Sequence, residues 1–347
     1  MALIDTLVKM NISISTAAAD SESFDNMLIV GPAPAAGGAT TPPDVGVYTE
    51  IGELTSAGWG NTDPVYIGAS IAFANNPSAP LYIAVIKLDE NATDALDRAI
   101  ETPGWYGIAP CGVSTDELAD IALWADANTK FLGFTVTDGE NPIGTSYARA
   151  YGFGTKSSQT YPNNIYTHVA MMATGLSYEA GSETWAYKTL KGIEPEPYTQ
   201  TEIAALKEAN LNCYVHCAGK NITLDGRTVS GEWIDVIRFR DWLQNDMQKG
   251  IYNLFIMNPK VPFTSKGITL IQNQMIASLK KGQTKGGIAE TEYDADGNEI
   301  VGFTTSVPTA ASVSDADKAA RTLKGCKFTA RLAGAIHLVE VNGTLVS

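Results

Sequence analysis

Short apolar runs alternate with amphipathic stretches over residues 26–137. The apolar runs predict buried strands at residues 26–31, 81–87, 106–109 and 130–137. The amphipathic stretches predict helices at residues 48–54, 64–74, 89–100 and 114–127. Asp63 is placed to cap the second of these helices, and Ser114 with Glu117 could form a capping box on the fourth. Strands that alternate with helices form a mainly parallel sheet, so this pattern predicts an α/β fold.

The second half of the chain changes to longer helices and then to hairpin strands. The polar residues 138–159 carry turn signals and predict a long surface loop, with room for short strands. Helices are predicted at residues 165–178, 199–210, 233–249 and 266–281. Strands are predicted at residues 212–215, 327–332 and 335–341, with a hairpin over 289–305 that turns at Asp296-Gly297. This half predicts a mixed arrangement, so the complete fold class is α/β with an α+β part.

The two helices at 233–249 and 266–281 are each amphipathic. Their apolar side chains recur at helical spacing and predict one core-facing side per helix: Val236, Phe239, Leu243 and Met247, then Ile268, Ile271, Met275 and Leu279. The opposite sides, and the residues just beyond, carry cations: Arg238, Arg240, Lys249, Lys280, Lys281 and Lys285. Cations on an outward helix face are often only solvated, so a solvated face and a binding face both remain open.

The two ends of the chain have strand-like patterns. Residues 7–15 alternate, with Val8, Met10, Ile12 and Ile14 on one face, and a polar spacer at 16–25 follows. Such a segment is either the first strand of the local sheet or an arm that pairs with another molecule. The last apolar strand, at 335–341, ends beside an Asn342-Gly343 turn.

Charge divides the 347 residues into two unequal parts. Residues 1–200 carry 8 Lys and Arg against 23 Asp and Glu, a net charge of −15, whereas residues 201–347 carry 16 against 15. Neither part has the clustered basic residues that nucleic-acid binding requires. No apolar run approaches the ~20 residues of a membrane helix, and the first residues predict no secretory signal. The four sparse cysteines suit a reducing cytoplasm.

Two clusters could hold a metal ion, and each has a simpler explanation. Cys213, His216 and Cys217 form one group, but a zinc site needs about four ligands and the other histidines are isolated. On a strand, Cys213 and Cys217 share a face and fit as small core residues. The acidic stretch 294–299 resembles a calcium loop, but Phe303 would occupy the position that requires a bidentate glutamate. A hairpin turn explains it better.

Candidate catalytic patterns are equally weak. Residues 152–157 contain two glycines and a lysine, but lack the adjacent Gly-Lys-Ser/Thr of a phosphate-binding loop, so a simple loop is favoured. No nucleophile elbow occurs, and three histidines offer no plausible triad. We therefore predict no catalytic residues, no metal and no cofactor.

A series of motifs runs through the second half of the chain. It comprises Trp185, LKGI at 190–193, YT at 198–199, ANLNCY at 209–214, Gly226, Gly231, Arg238 and DWL at 241–243, and it ends in FTARLAGAIHLVEV at 328–341. This series resembles the C-terminal region of contractile tail sheath proteins, which form the sheaths of myovirus-type bacteriophages and phage-tail-like particles. The resemblance extends over residues 165–347 and is looser before them.

The resemblance implies a structural subunit, not an enzyme, that polymerises as stacked hexameric rings around an inner tail tube. It implies four regions: an N-terminal linking arm at 1–20, an acidic outer α/β domain at 21–164, an inner, tube-facing sheath domain at 165–333 and a C-terminal linking arm at 334–347. The arms would enter a neighbour's sheet through Val8, Met10, Ile12, Ile14, Ile336, Leu338, Val339 and Val341. The tube-facing candidates are the six cations on the helices.

The resemblance also implies contacts with the inner tube, the baseplate and the tail terminator. The subunit would lie in a virion tail or a phage-tail-like particle assembled in the bacterial host cytoplasm. Contraction would drive the tube through the target envelope, without nucleic-acid binding or membrane insertion by this chain. Two alternatives remain. An α/β enzyme with an unrecognised site would form a small discrete oligomer, and another tail component such as the tube protein would be shorter and β-dominated.

Overall fold

The computed structural model describes residues 23–35, 41–137, 139–156 and 158–341. Its centre is an eight-stranded sheet with the spatial order β2-β3-β1-β4-β5-β6-β7-β8. The strands are β1 (Met27–Pro32), β2 (Val45–Tyr48), β3 (Leu81–Ile86), β4 (Gly107–Pro110), β5 (Phe131–Val136), β6 (Ala150–Gly154), β7 (Leu211–Cys217) and β8 (Lys220–Leu224). The inner six strands are parallel, and β2 and β8 are antiparallel edge strands. The predicted α/β fold is therefore confirmed.

Helices cover both faces of this sheet. The α-helices of the described residues are α1 (Ile51–Ser56), α2 (Pro64–Asn75), α3 (Ala92–Ala99), α4 (Leu118–Asn128), α5 (Thr167–Leu176), α6 (Gln200–Glu208), α7 (Ile234–Met257), α8 (Ser265–Thr284) and α9 (Asp315–Ala319). Helices α2 and α5 pack on one face, and α3 and α4 pack on the other. Side chains of β1 alternate between the two layers, because Ile29 belongs to the first and Leu28 and Val30 to the second.

Strand β6 corrects the predicted surface loop, because all five of its residues are buried between β5 and β7. Its sequence, AYGFG, contains two glycines that weaken the strand signal. Packing requires them. A Cβ atom at Gly152 would lie 2.5 Å from the Leu211 side chain, and one at Gly154 would lie 2.7 Å from Leu206. The glycines that suggested a phosphate loop therefore allow close packing within the sheet.

Two further predictions near helix starts need correction. The helix predicted at 48–54 begins at Ile51, because Tyr48 ends the short edge strand β2. The capping box predicted at Ser114 is absent: the Ser114 hydroxyl accepts from the amide of Asp116, and the Glu117 carboxylate accepts from the amide of Ala92 instead. The cap at Thr199 is confirmed, since it forms a full capping box with Glu202.

A smaller lobe follows the sheet. Helices α7 and α8 pack together, and the antiparallel pair of β11 (Phe303–Ser306) with β12 (Lys327–Ala330) packs against them. A second short antiparallel pair, β9 (Glu292–Tyr293) with β10 (Glu299–Ile300), is exposed. The predicted turn at Asp296-Gly297 joins β9 to β10, where the Asp294 carboxylate accepts from the amides of Asp296 and Asn298. This is a hairpin turn, as the sequence indicated.

The large sheet continues across the predicted domain boundary at residue 164. Strands β7 and β8 come after that boundary and extend the sheet from β6. Residues from both sides also share one core, including Ile29, Phe131, Trp185 and Ile237. The acidic half and the start of the second half thus form one folded body.

Among the helices of the described ranges, none has the length and apolar character needed to cross a membrane.

Candidate subunit interface

Helix α7 is buried on two sides. Its first side carries Phe239, Leu243 and Met247, which pack against Met275 and Leu279 of α8. This contact confirms the apolar faces predicted for both helices. The second side faces the sheet body, and its residues recur three or four positions apart: Ile234, Ile237, Arg238, Asp241, Gln244, Asn245 and Gln248. Most of this second side is polar, so the sequence pattern gave it the appearance of a solvated face.

Asp241 forms an ion cluster between α7 and the sheet. Its carboxylate accepts two hydrogen bonds from Arg149, at 2.9 Å from Nε and 2.8 Å from Nη2. The Tyr106 hydroxyl donates to the same carboxylate at 2.9 Å, and Arg240 donates at 3.0 and 3.1 Å. Burial and the nearby Asp241 charge raise the pKa of Tyr106 well above its ordinary value. This paired, hydrogen-bonded cluster fixes α7 on the body.

Arg238 forms a second buried cluster, and its side chain is 0% exposed. Its guanidinium donates to the Glu183 carboxylate at 2.5 Å and to the Asp25 carboxylate at 2.9 Å. It also donates to the backbone carbonyls of Phe24 and Tyr178, and of Gly175. The prediction that Arg238 faces a tube is therefore wrong, because every direction of its guanidinium is occupied inside the subunit.

The other predicted cations lie in three environments. The Arg240 side chain is only 10% exposed and pairs with Asp241, so it is also not an outward cation. Lys249 and Lys285 line an open cleft of about 290 Å³ beside Asp25 and Trp242. Lys285 pairs with Glu179 at 2.6 Å. Lys280 and Lys281 are exposed on α8, and Lys281 pairs with Asp246 at 2.8 Å. These two lysines keep the environment that the sequence predicted.

The chain leaves β12 as an extended segment with exposed apolar side chains. An isolated bridge joins Leu332 to Ile288, and the amide of Ala333 donates to the carbonyl of Gly287. Beyond that point, residues 335–341 belong to no strand of the described chain. Four of the predicted arm side chains are nevertheless apolar and 69 to 85% exposed: Ile336, Leu338, Val339 and Val341. Such a cluster is typical of a binding segment.

His337 fixes this segment to the body. Its Nε2 lies 2.8 Å from the Thr184 hydroxyl, and its backbone carbonyl accepts from the Tyr187 hydroxyl at 2.5 Å. The imidazole stands edge-on to the rings of Tyr187 and Trp233, with centroid distances of 5.6 and 4.7 Å. Desolvation in this slot lowers the pKa of His337. The residues beyond His337 are thus held at one point and exposed afterwards.

The β11–β12 pair offers a surface that a strand could join. Its inner face packs on the lobe through Phe303 and Phe328, and Gln272 of α8 donates to Thr305. Its outer face is exposed, and within the described residues β11 pairs with β12 alone. A two-stranded ribbon leaves unpaired backbone groups on its outer edges, which makes it a template for an added strand.

The remaining residues singled out in the sequence do not join the interface described above. Val8, Met10, Ile12 and Ile14 of the N-terminal arm lie outside the described residues. Cys213 is buried as predicted, but Cys217 is exposed. In the ranges that the structure describes, no three metal-ligating side chains lie together. His168 is buried between Thr135 and the carbonyl of Pro110, and burial lowers its pKa to about 4, so it is a neutral core residue.

Comparison with known proteins finds one matching family and several similar structures. Residues 234–345 match the family described as E217 tail sheath protein gp31-like, C-terminal domain. A chain of the anti-feeding prophage (AFP) baseplate superposes with a TM-score of 0.70 at 14% identity, over 98% of both chains. The AFP helical sheath in its contracted state gives a TM-score of 0.70 at 14% identity, over 97% of this chain and 98% of that one. This protein has the fold of a contractile sheath protein.

The sheath fold extends over the acidic half, where the sequence resemblance was loose. The sheath complex of an extracellular contractile injection system, PVC, in its contracted state gives a TM-score of 0.67 at 13% identity, over 97% of this chain and 96% of that one. No curated protein matches the chain in sequence.

Sequence reasoning did not find Glu183, Thr184 and Tyr187, which hold Arg238 and His337. Their proximity to Trp185, the first residue of the motif series, was the available signal.

Proposed function

We propose that this chain is the structural subunit of a contractile sheath, which polymerises as stacked hexameric rings around an inner tube and contracts to drive that tube through a target envelope. The near full-length sheath fold and the C-terminal domain match support the proposal. The observation that carries it is the C-terminal segment, with four exposed apolar side chains outside any strand of its own chain. A free monomer gains nothing from that exposure, whereas a polymer buries it.

The C-terminal segment joins the β11–β12 pair of a neighbouring subunit in this proposal. Strand addition satisfies the open backbone groups of the ribbon edge and buries alternate apolar side chains. About five ladder hydrogen bonds at ~1 kcal/mol each would add to that burial. Val8, Met10, Ile12 and Ile14 would form the matching N-terminal strand. Arm linkages of this kind can persist while subunit bodies rotate between two packings.

The exposed lysines of α8 face the inner tube in this proposal. Lys280 and Lys281 lie in the balanced part of the chain, whereas residues 1–200 carry a net charge of −15. An acidic tube surface would attract the lysine face and repel the acidic part. Lys249 and Lys285 are secondary candidates, because they line a cleft beside α8. The baseplate and the tail terminator complete the partners, in a virion tail or phage-tail-like particle built in the host cytoplasm.

Leu338→Pro tests the linkage. Proline removes a backbone donor and fixes φ, so it blocks strand addition. Leu338 is 81% exposed and belongs to no strand of its own chain, so the variant should fold normally. We expect circular dichroism and unfolding free energy like those of the wild type, and negative-stain micrographs without tubular polymers. Normal polymers from this variant would contradict the proposed linkage.

A matched pair of milder variants separates strand burial from general surface effects. Leu338→Ser and Leu88→Ser each remove an apolar side chain that is mostly exposed in the subunit, 81% and 91% respectively. Only the first lies on the proposed arm. We expect Leu338→Ser to shorten or abolish polymers and Leu88→Ser to leave them unchanged. Equal effects would show that the loss is unrelated to the arm.

A further inference from the structure

One loop is linked both to the first described residues, at 24–25, and to the C-terminal segment, at His337. This bridging loop, residues 178–187, follows α5 and leads into the core. At one end, the Tyr178 carbonyl and the Glu183 carboxylate accept from Arg238, at 2.7 and 2.5 Å. The same guanidinium holds the Phe24 carbonyl and the Asp25 carboxylate, at the start of the described chain. The first described residues are thus tied to the loop through one side chain, and we call Phe24 and Asp25 the N-terminal exit.

The other end of the bridging loop holds the C-terminal exit. Thr184 and Tyr187 bind the side chain and the carbonyl of His337, at 2.8 and 2.5 Å. Glu183 also lines a small cavity together with Leu332 and Gly334, where the chain leaves β12. Glu183 binds Arg238 and Thr184 binds His337. The two residues are adjacent, so a single peptide unit separates these two contacts.

The middle of the bridging loop is part of the core. Trp185 is 1% exposed, and its ring lies 6.0 Å from that of Phe131 and 5.4 Å from that of Tyr151. Its indole Nε1 donates to the Glu183 carboxylate, and its carbonyl accepts from Thr223. A buried, satisfied network of this kind has one low-energy arrangement and transmits displacement without deforming.

We propose that Arg238 is a positioning residue that couples the exit points of the two terminal arms through the bridging loop. The inference rests on the proposed function, in which the arms join neighbouring subunits. Load that enters through one arm passes from Asp25 to Arg238, Glu183, Thr184 and His337, and leaves through the other. The spacing between the two linkages then stays constant while the contacts between subunit bodies change.

Hydrogen exchange on the unassembled full-length protein tests this coupling without requiring a polymer. Arg238→Gln should accelerate exchange of the amides at 24–27 and also within 331–338, above all those of Arg331 and Ala333, which donate to Gly302 and Gly287 and which Arg238 does not touch. We expect an acceleration on the order of tenfold at the distant segment, as for a typical coupling between sites. Arg238→Lys keeps the charge but lacks the planar fork, so it should restore part of the protection.

Arg149→Gln is the matched control. Arg149 is a similarly buried arginine that pairs with α7, but its contacts are to Asp241 and Asp126 and not to either exit. It should accelerate exchange over the body without singling out residues 331–338. If Arg238→Gln changes only residues 24–27, or if Arg149→Gln affects residues 331–338 equally, Arg238 is a local anchor and the coupling is overturned.

His337→Ala provides the reverse measurement if the arginine variants fail to fold. His337 lies at the surface of the body, so its loss should leave the fold intact. Reciprocal coupling predicts faster exchange at residues 24–27 as well. Unchanged exchange there would overturn the proposal. Polymerisation of the wild type is scored separately by electron microscopy, so a failure of the sheath proposal is distinguishable from a failure of the coupling.

Discussion

Helices α7 and α8 lie side by side and share one apolar contact, yet their cations have opposite environments. On α7, Arg238 and Arg240 are 0% and 10% exposed and are held by carboxylates. On α8, Lys281 is 59% exposed, and its pair with Asp246 lies at the surface. The sequence pattern predicted the same outward position for the cations of both helices. What separates them is a second neighbour: α7 lies between α8 and the sheet body, whereas α8 has one buried side.

The comparison teaches that a polar helix side is ambiguous in sequence. Arginine accompanied by Asp241 on the same side can form buried, bidentate pairs, which lysine forms poorly because its ammonium is a compact, strongly hydrated charge. The buried cations of α7 are arginines, whereas Lys249, which lines the cleft, and the cations of α8 are lysines. We therefore expect changes on α7 to act on folding and changes on α8 to act on association.

The largest expected effect comes from Asp241→Asn. The substitution leaves the buried Arg149 guanidinium without the carboxylate that accepts its two side-chain hydrogen bonds, and breaking a buried pair costs about 3–5 kcal/mol. Chemical denaturation should show a fall in unfolding free energy of that size. Lys281→Met, which removes the exposed pair with Asp246, should change it by about 0.2–1 kcal/mol. Equal effects of the two variants would abolish the distinction between the helices.

A smaller effect concerns pH, because a partly buried carboxylate on α7 titrates differently from an exposed one. Burial raises the pKa of Asp235 from 3.8 to about 6, and the nearby Glu183 carboxylate acts in the same direction. Between these two pH values the folded state holds a proton that the unfolded state has lost. The unfolding free energy contributed by Asp235 therefore falls as the pH rises from about 4 to about 6.

Asp235→Asn isolates this contribution. The asparagine variant should be more stable relative to the wild type at pH 7 than at pH 3.5, with the change confined to that window. Denaturation at a series of pH values measures the difference, and titration of other groups such as His337 cancels in it. A difference that is constant with pH would show that Asp235 keeps its ordinary pKa.

Much of the fold was predictable from the sequence because its signals were local. The alternation of apolar runs with capped helices gave the parallel sheet, and the helical spacing of Phe239, Leu243 and Met247 gave the α7–α8 contact. Strand β6 was missed because Gly152 and Gly154 carry no hydrophobic signal. Glycine is required at these positions because the side chain opposite each of them, Leu211 or Leu206, would lie too close to a Cβ atom. Both leucines are distant in sequence.

The candidate site was predictable only in part, for the same physical reason. The apolar C-terminal residues were recognised because exposure of Leu338 or Val341 does not depend on any partner within the chain. The role of Arg238 depends on Phe24, Asp25 and Glu183, which lie 55 to 214 positions away. A local pattern does not identify such partners, so the guanidinium had the appearance of a surface cation.

The smallest effect on the subunit, and the most specific effect on assembly, is expected from Lys280→Glu with Lys281→Glu. Both lysines are exposed, so the unfolding free energy should change by no more than about 1 kcal/mol. Exposed charge pairs are individually weak, but the proposed ring symmetry would repeat them along the whole sheath. The double variant should form arm-linked sheaths that lack a tube, and salt should weaken tube binding by the wild type before it disrupts the sheath itself. Lys207→Glu with Lys220→Glu is the control, because it makes the same change in net charge on the body, where the Lys207 side chain is also 59% exposed. Electron micrographs that show extended, tube-filled sheaths for both double variants would place the tube contact elsewhere than on α8.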